Sequence, residues 1–194
     1  MSHYYLNDPN LKSDKRIITY EYYGKELKFY SDLGVFSKNK IDRGTDILLN
    51  TLELEGKKIL DLGCGIGVIG VALASRDERL EVTSTDVNER ALALAKENYE
   101  LNGIKNYSVF KSDGYENIKG SFDLIVLNPP IRAGKQIVDK LVLGAINYLN
   151  PNCYIWIVIR KSQGAPSLVT RMEEVYGDVE IVKKKKDYWI IKAR

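Results

Sequence analysis

An open, doubly wound α/β sheet of seven mostly parallel strands is the fold the sequence predicts. Three observations carry that expectation. Strand-like and helix-like segments alternate from Lys57 onward, two of the strand segments are apolar without interruption, and the first strand runs into a glycine-dense turn that opens a helix. Alternating β and α segments build a parallel sheet with helices on both faces. Strands covered on both faces lose the polar/apolar alternation, as in Leu124-Ile125-Val126-Leu127 and Ile155-Trp156-Ile157-Val158-Ile159.

In chain order, residues 16–23 alternate Ile, Thr and Tyr, Gly24-Lys25 turns the chain, and residues 26–30 return as a β-hairpin. So few residues cannot bury a core alone. Residues 1–52 are therefore read as an extension, hairpin plus helix, packed on a main domain of residues 53–194. Asp42 is placed to cap a helix running to about Leu52. The main domain is expected to hold strands at 57–61, 80–86, 107–111, 123–127 and 153–159. Helices are expected at 68–75, 88–101, 134–149 and 165–176. A last pair, 179–183 and 188–192, forms an antiparallel hairpin at one edge and completes the seven strands.

A chain of 194 residues suffices for one such domain with a real core. The longest apolar runs are far too short to span a bilayer. The amino-terminal Met1-Ser2-His3-Tyr4-Tyr5 has no basic start followed by an apolar run, so no signal peptide is expected. Cys64 and Cys153 make no metal-ligand pattern, and a reduced, cytoplasmic setting without a metal is the simplest expectation. Net charge is only +3, but it is unevenly spread: residues 77–100 are acidic, whereas 131–161 and the tail from Glu180, with Lys183-Lys184-Lys185-Lys186, are basic. A basic side on a near-neutral protein is compatible with a nucleic-acid partner and equally with a solvated face.

Asp61-Leu62-Gly63-Cys64-Gly65-Ile66-Gly67 follows the first strand of the main domain, where open parallel sheets bind ligands. Gly65-Ile66-Gly67-Val68-Ile69-Gly70 matches the dinucleotide fingerprint, so an NAD-dependent oxidoreductase is one reading. Three features oppose it. Asp61 precedes the glycines, where a carboxylate suits an amine and hydroxyls better than a pyrophosphate. The spacing Gly63-x-Gly65-x-Gly67 is more open than a pyrophosphate clamp needs, and no His or Tyr/Lys pair is evident for hydride transfer. Asp86, ending the second strand, can accept both ribose hydroxyls of NAD or of S-adenosylmethionine, or else cap the next helix. Asp113, in Ser112-Asp113-Gly114-Tyr115, can bond an adenine amino group or serve only its turn.

The fourth strand stops at Asn128-Pro129-Pro130. Two prolines fix a rigid backbone without donors. The carboxamide oxygen of Asn128 and the carbonyl of Pro129 are two acceptors, which suits an NH₂ group and leaves its lone pair free for an electrophile. A sulfonium methyl is such an electrophile and needs no metal. His3 is the one histidine, so no histidine base or nucleophilic triad is in view.

Taken together, Asp61 to Gly67, Asp86-Val87-Asn88-Glu89, Ser112-Asp113-Gly114-Tyr115 and Asn128-Pro129-Pro130 resemble the class I S-adenosylmethionine-dependent methyltransferases of the methyltransferase small domain group. Gly34-Val35-Phe36-Ser37, Asp42-Arg43-Gly44-Thr45 and Ile131-Arg132-Ala133-Gly134-Lys135 look like that group as well. The resemblance implies a Rossmann-like sheet and S-adenosylmethionine as cofactor. It implies that Asp61, Gly63, Cys64, Gly65 and Gly67 line the methionine and ribose, with Phe36 and Thr45 closing the methionine end. Asp86 and Val87 would take the ribose and Asp113 and Gly114 the adenine. Asn128, Pro129 and Pro130 would hold the target amine, with Asn128 also against the cofactor. The implied substrate is a guanine N2 of ribosomal RNA, free or in the assembling small subunit, against Ile131, with Arg132, Lys135, Arg160 and Lys161 toward phosphates. Many relatives have an aromatic where this chain has Ile131, and larger ones carry a second, amino-terminal domain. A protein glutamine methyltransferase, which also holds a carboxamide NH₂, and a non-catalytic RNA-binding module are the other readings.

Overall fold

The computed structural model describes residues 12–36 and 39–194. His3, the amino-terminal stretch and Ser37 lie outside them. The chain folds as a hairpin of β1 (Arg16–Tyr22) and β2 (Lys25–Ser31), helix α1 (Arg43–Leu49), then β3 (Lys58–Leu62), α2 (Val68–Arg76), β4 (Glu81–Asp86), α3 (Glu89–Leu101), β5 (Tyr107–Lys111) and β6 (Phe122–Leu127). It continues through α4 (Lys135–Gly144), β7 (Leu149–Arg160), α5 (Ala165–Glu173), β8 (Val179–Lys185) and β9 (Tyr188–Ala193). The seven-stranded sheet runs β5-β4-β3-β6-β7-β9-β8, and β1-β2 is a separate antiparallel pair. The first five strands of the sheet are parallel, while β9 is antiparallel to both β7 and β8. This is the mixed α/β sheet the sequence predicts.

Side chains alternate across the sheet and build two cores. Ile59, Val82, Leu124, Val126, Trp156 and Val158 pack on one face with α1, α2, α3 and the hairpin residues Tyr22, Leu27 and Phe29. Leu60, Leu62, Ile125, Leu127, Ile155 and Ile157 pack on the other with residues of α4 and α5. Several boundaries differ from expectation by more than an end residue: α1 stops at Leu49, α5 stops at Glu173 and β8 runs on to Lys185, and the two largest differences lie around β7. The helix expected at 134–149 stops at Gly144 and tightens into a 3-10 turn, Ala145–Tyr148, whose Tyr148 stacks on Tyr115 with ring centroids 4.4 Å apart. Strand β7 starts early, at Leu149, because residues 149–153 form an irregular stretch paired to Phe122 before regular register resumes at Tyr154.

The hairpin is fastened to α3 by two asparagines one helical turn apart. Asn98 accepts the Tyr30 N–H at 2.6 Å and donates to the Tyr30 carbonyl at 3.0 Å, and Asn102 does the same for Lys28 at 3.0 and 2.7 Å. Asn98 also donates to the Ile66 carbonyl in the glycine turn at 2.9 Å. Asn88, the N-cap of α3, donates to the Gly34 carbonyl at 3.0 Å and so anchors the loop that carries Phe36. Among the described residues no helix is long and apolar enough to cross a membrane.

Candidate active site

The order of the sheet reverses between β3 and β6, and ligands of such sheets lie in the crevice beyond the carboxyl ends of the strands at that point. A cavity of about 400 Å³ opens there. Phe36, Thr45, Gly63, Cys64, Gly65, Asp86, Val87, Asp113, Gly114, Asn128, Pro129 and Pro130 all line it, although they come from six separate stretches of chain. A side chain at Gly65 would meet nothing within 4 Å, and one at Gly63 would touch only Leu127 at 3.9 Å, so both glycines face open space. Both also have positive φ, +67° at Gly63 and +55° at Gly65, which favours glycine in any case.

Asp86 is held from below. It accepts the Gly65 N–H at 2.8 Å and the Asn88 N–H at 2.9 Å, and burial raises its pKa despite these donors. The helix cap is Asn88, whose side chain accepts the Ala91 N–H, so Asp86 is not spent on capping. Asp113 sits at the mouth, 3.8 Å from Lys140. Cys64 is buried at the cavity wall, and burial pushes its thiol pKa up, which suits packing and not nucleophilic attack.

Two predicted cavity residues lie elsewhere. Asp61 is 1% exposed and does not line the cavity. Strand β3 runs one residue further than expected, to Leu62. Alternation sends Leu60 and Leu62 to one core and Asp61 to the opposite face, under the glycine turn, where it accepts the Gly70 N–H at 2.9 Å. Its other carboxylate oxygen has no partner among the described residues, and burial pushes the pKa up to about 7. Gly67 also turns away, packing on α3, where a side chain would meet the Ala95 Cβ at 3.2 Å. The neighbouring Ile66, Val68 and Ile69 line the cavity in their place.

The Asp61 shift has a measurable consequence. Below pH about 4 the group is protonated folded or unfolded and contributes nothing. As pH rises the unfolded chain loses the proton first, so stability falls until pH about 7 and is flat beyond, by about 4 kcal/mol in all. The substitution Asp61→Asn keeps an acceptor for the Gly70 N–H and removes the titration. The difference in unfolding free energy between wild type and D61N, measured by urea titration without ligand, is expected to decline over that window. A pH-independent difference would contradict the assignment.

A second cavity, of about 700 Å³, adjoins the first. Phe36, Lys40, Asp42, Asn128 and Pro129 line both. Ile131, Arg132, Arg160, Gln163 and Tyr188 line the second alone. The Arg160 guanidinium lies 4.8 Å from the Tyr188 ring centre and donates to the Tyr188 hydroxyl at 2.6 Å. Lys135 and Lys161, grouped with Arg132 and Arg160 in the sequence, line neither cavity and are exposed at the start of α4 and just beyond β7.

Asn128 stands at the junction of the cavities. Its Nδ2 donates to Asp42 Oδ2 at 3.2 Å and to Thr45 Oγ1 at 3.0 Å. A carboxylate only accepts, so the amide nitrogen faces Asp42 and the carboxamide oxygen faces away. The Pro129 carbonyl already accepts the Ile131 N–H at 2.9 Å and keeps one lone pair, and the Pro130 carbonyl accepts the Ala133 N–H at 2.8 Å. Asp42 is the residue whose place in the site the sequence reading missed. It does cap α1, accepting the Thr45 N–H at 3.0 Å, but the same oxygen also holds Asn128.

A nucleoside-sized cavity with carboxylates at its wall, leading to fixed hydrogen-bond acceptors, fits S-adenosylmethionine, and the fold and site define a methyltransferase that depends on it. The sequence pattern of the methyltransferase small domain family matches residues 26–192, and the chain belongs to that family. It is 43% identical to the uncharacterized protein YbxB of Bacillus subtilis over 99% of this chain and 98% of that one. It is 35% identical to the ribosomal RNA small subunit methyltransferase C of Erwinia tasmaniensis over 90% of this chain, which spans 52% of that relative. The 16S rRNA N2 G1207 methyltransferase of T. thermophilus, solved with AdoMet and guanosine, superposes with a TM-score of 0.83 at 27% identity, over 96% of this chain and 52% of that one. The chain thus spans about half the length of these ribosomal RNA methyltransferases and nearly all of YbxB.

Proposed function

We propose that the protein transfers a methyl group to the exocyclic N2 of a guanine in small-subunit ribosomal RNA. The observation that carries this reading is the orientation of Asn128: its amide nitrogen is tied to Asp42 and Thr45, which leaves the oxygen to accept from an amine. The free lone pair of the Pro129 carbonyl is the second acceptor. Bound S-adenosylmethionine supplies an electrophilic methyl on a cationic sulfur. Asn128 and Pro129 hold the two amine hydrogens and so aim the nitrogen lone pair; the N–C bond forms as the S–C bond breaks, and the surplus proton passes to water. Such fixed geometry is worth several orders of magnitude in rate.

The guanine itself is supported by the second cavity and by the one T. thermophilus structure whose name specifies N2 of a guanine. Ile131 gives the base an apolar surface, and Arg132 and Arg160 at the wall put cations where a phosphate chain would pass. Asp86 and Val87 at the ribose and Asp113 and Gly114 at the adenine complete the proposed cofactor side, with Phe36 and Thr45 over the methionine. A duplex guanine has to be extruded to reach Asn128.

S-adenosylhomocysteine at a hundredfold excess over its Kd is expected to raise the melting temperature by about 5–10 °C, and NAD to leave it unchanged. The substrate is tested by mass-spectrometric mapping of ribosomal RNA from cells lacking the protein. One N2-methylguanosine in the small subunit is expected to disappear and to return with the wild-type gene. An intact RNA methylation pattern, or a missing methyl on a protein glutamine, would overturn the proposal.

A further inference from the structure

We infer that Asp42 is a positioning residue, which sets the direction of the Asn128 carboxamide and thereby makes the site select an amine. The inference rests on the function proposed above for Asn128. A carboxamide can sit either way round in the same envelope, and the two orientations have opposite chemistry. With the oxygen outward it accepts from an NH₂ group; with the nitrogen outward it presents donors to donors and repels it. Only the partners of the inner end decide between them.

Those partners are Asp42 Oδ2 at 3.2 Å and Thr45 Oγ1 at 3.0 Å. The hydroxyl could serve either orientation, because it can donate or accept. The carboxylate serves only one, since an Asn128 oxygen turned toward it would set two acceptors against each other. Asp42 is itself fixed: the same Oδ2 accepts the Thr45 N–H at 3.0 Å, so the first turn of α1 holds the carboxylate that holds the amide. Gly44 leaves the room for this. A side chain there would come within 2.9 Å of Asp42 Oδ2 and 3.0 Å of the Tyr188 ring. Asp42, Gly44 and Thr45 therefore act together on a residue far along the chain, and Asp42 does so from the wall shared by the two cavities.

Two substitutions separate this role from helix capping. Serine caps as well as aspartate, but it is one bond too short to reach Asn128. Asparagine can place its own oxygen where Oδ2 stands and accept from both Thr45 and Asn128. With 16S ribosomal RNA and S-adenosylmethionine, Asp42→Ser is expected to melt within a few degrees of wild type and to lose about 10–100-fold in kcat, with KM for RNA within about threefold. Asp42→Asn is expected to recover all but about fivefold, and D42S to add no further loss in the Asn128→Ala background. Should D42S fail to fold, Asp42→Thr, also a capping residue, takes its place.

The amide itself gives a readout that needs no substrate. In ¹⁵N-correlated spectra of the free protein the Asn128 Nδ2 protons are expected to be protected from exchange, and to lose protection in D42S but not in D42N. A wild-type kcat for D42S, losses that add in the double variant, or unaltered Asn128 protection in D42S would overturn the inference. A wild-type protein that leaves the RNA unmethylated would instead overturn the proposed substrate, and the amide protons would still decide the role of Asp42.

Discussion

Asn128→Ala is expected to abolish RNA methylation, by about 10³-fold or more in kcat, while the Kd for S-adenosylhomocysteine changes by no more than about threefold. The size follows from what the side chain supplies. Removing one fixed hydrogen-bonding group from a transition state costs about 10²–10³-fold, and here the lost acceptor also aims the nitrogen, so misalignment adds to it. The proposed cofactor side is expected to stay intact because the cradle at Gly63 and Gly65 and the carboxylate of Asp86 come from other strands and keep their own partners. Stopped-flow binding and single-turnover methylation separate the two quantities. A variant that still methylates at a tenth of the wild-type rate, or one that no longer binds the homocysteine product, would remove Asn128 from the role proposed for it.

Gly70→Ala is expected to destabilise the fold by about 3 kcal/mol or more, a fall of about 6–12 °C in melting temperature. Helix propensity alone argues for the opposite sign, since alanine is better than glycine in a helix by up to about 1 kcal/mol, although Gly70 stands in the first turn of α2, where the difference is smaller. Space decides it. A Cβ at Gly70 would lie 1.8 Å from the Tyr99 hydroxyl and 2.9 Å from the Ser84 hydroxyl. Tyr99 cannot swing aside: it is fully buried, shares a 2.7 Å hydrogen bond with Ser84, and its ring stacks on Tyr107 at 4.3 Å. The Gly70 N–H also holds Asp61, so a shift in α2 would disturb the glycine turn as well. Calorimetry of G70A beside Gly70→Ala/Tyr99→Phe tests the cause. The double variant is expected to be more stable than G70A, although removing the Tyr99 hydroxyl costs a hydrogen bond on its own.

The sheet was legible in the sequence because its central strands are covered on both faces and its helices start at a capping side chain, Asp42 or Asn88, or at a glycine, Gly67, Gly134 or Gly164; the type of each element and its place along the chain needed no tertiary information. The cavity lining was legible where a residue belongs to a turn that the strand ends force into one crevice, as at Gly63, Gly65, Asp86 and Asn128. It was not legible where strand alternation, and not the turn that follows, aims a side chain: Asp61 shares a face with Ile59 and so lies beneath the turn. Asp42 escaped for another reason. Its local pattern reads fully as a helix cap, and capping uses one lone pair of one oxygen; the bond to Asn128, 86 residues away, leaves no trace in the neighbouring sequence. The four cations suggested for phosphate contact divide the same way. Arg132 and Arg160 reach the second cavity, but charge alone could not tell them from Lys135 and Lys161, whose side chains do not line it.

The asparagine pair on α3 does more than fasten the hairpin. Among the described residues strand β2 has β1 along one side only, and its other side would offer bare amides and carbonyls to any passing chain. Asn98 and Asn102 saturate those groups at Tyr30 and Lys28 as a third strand would. Two side chains thus close off a template for recruiting strands from other molecules, and the protein gains insurance against self-association from the same bonds that seat its hairpin.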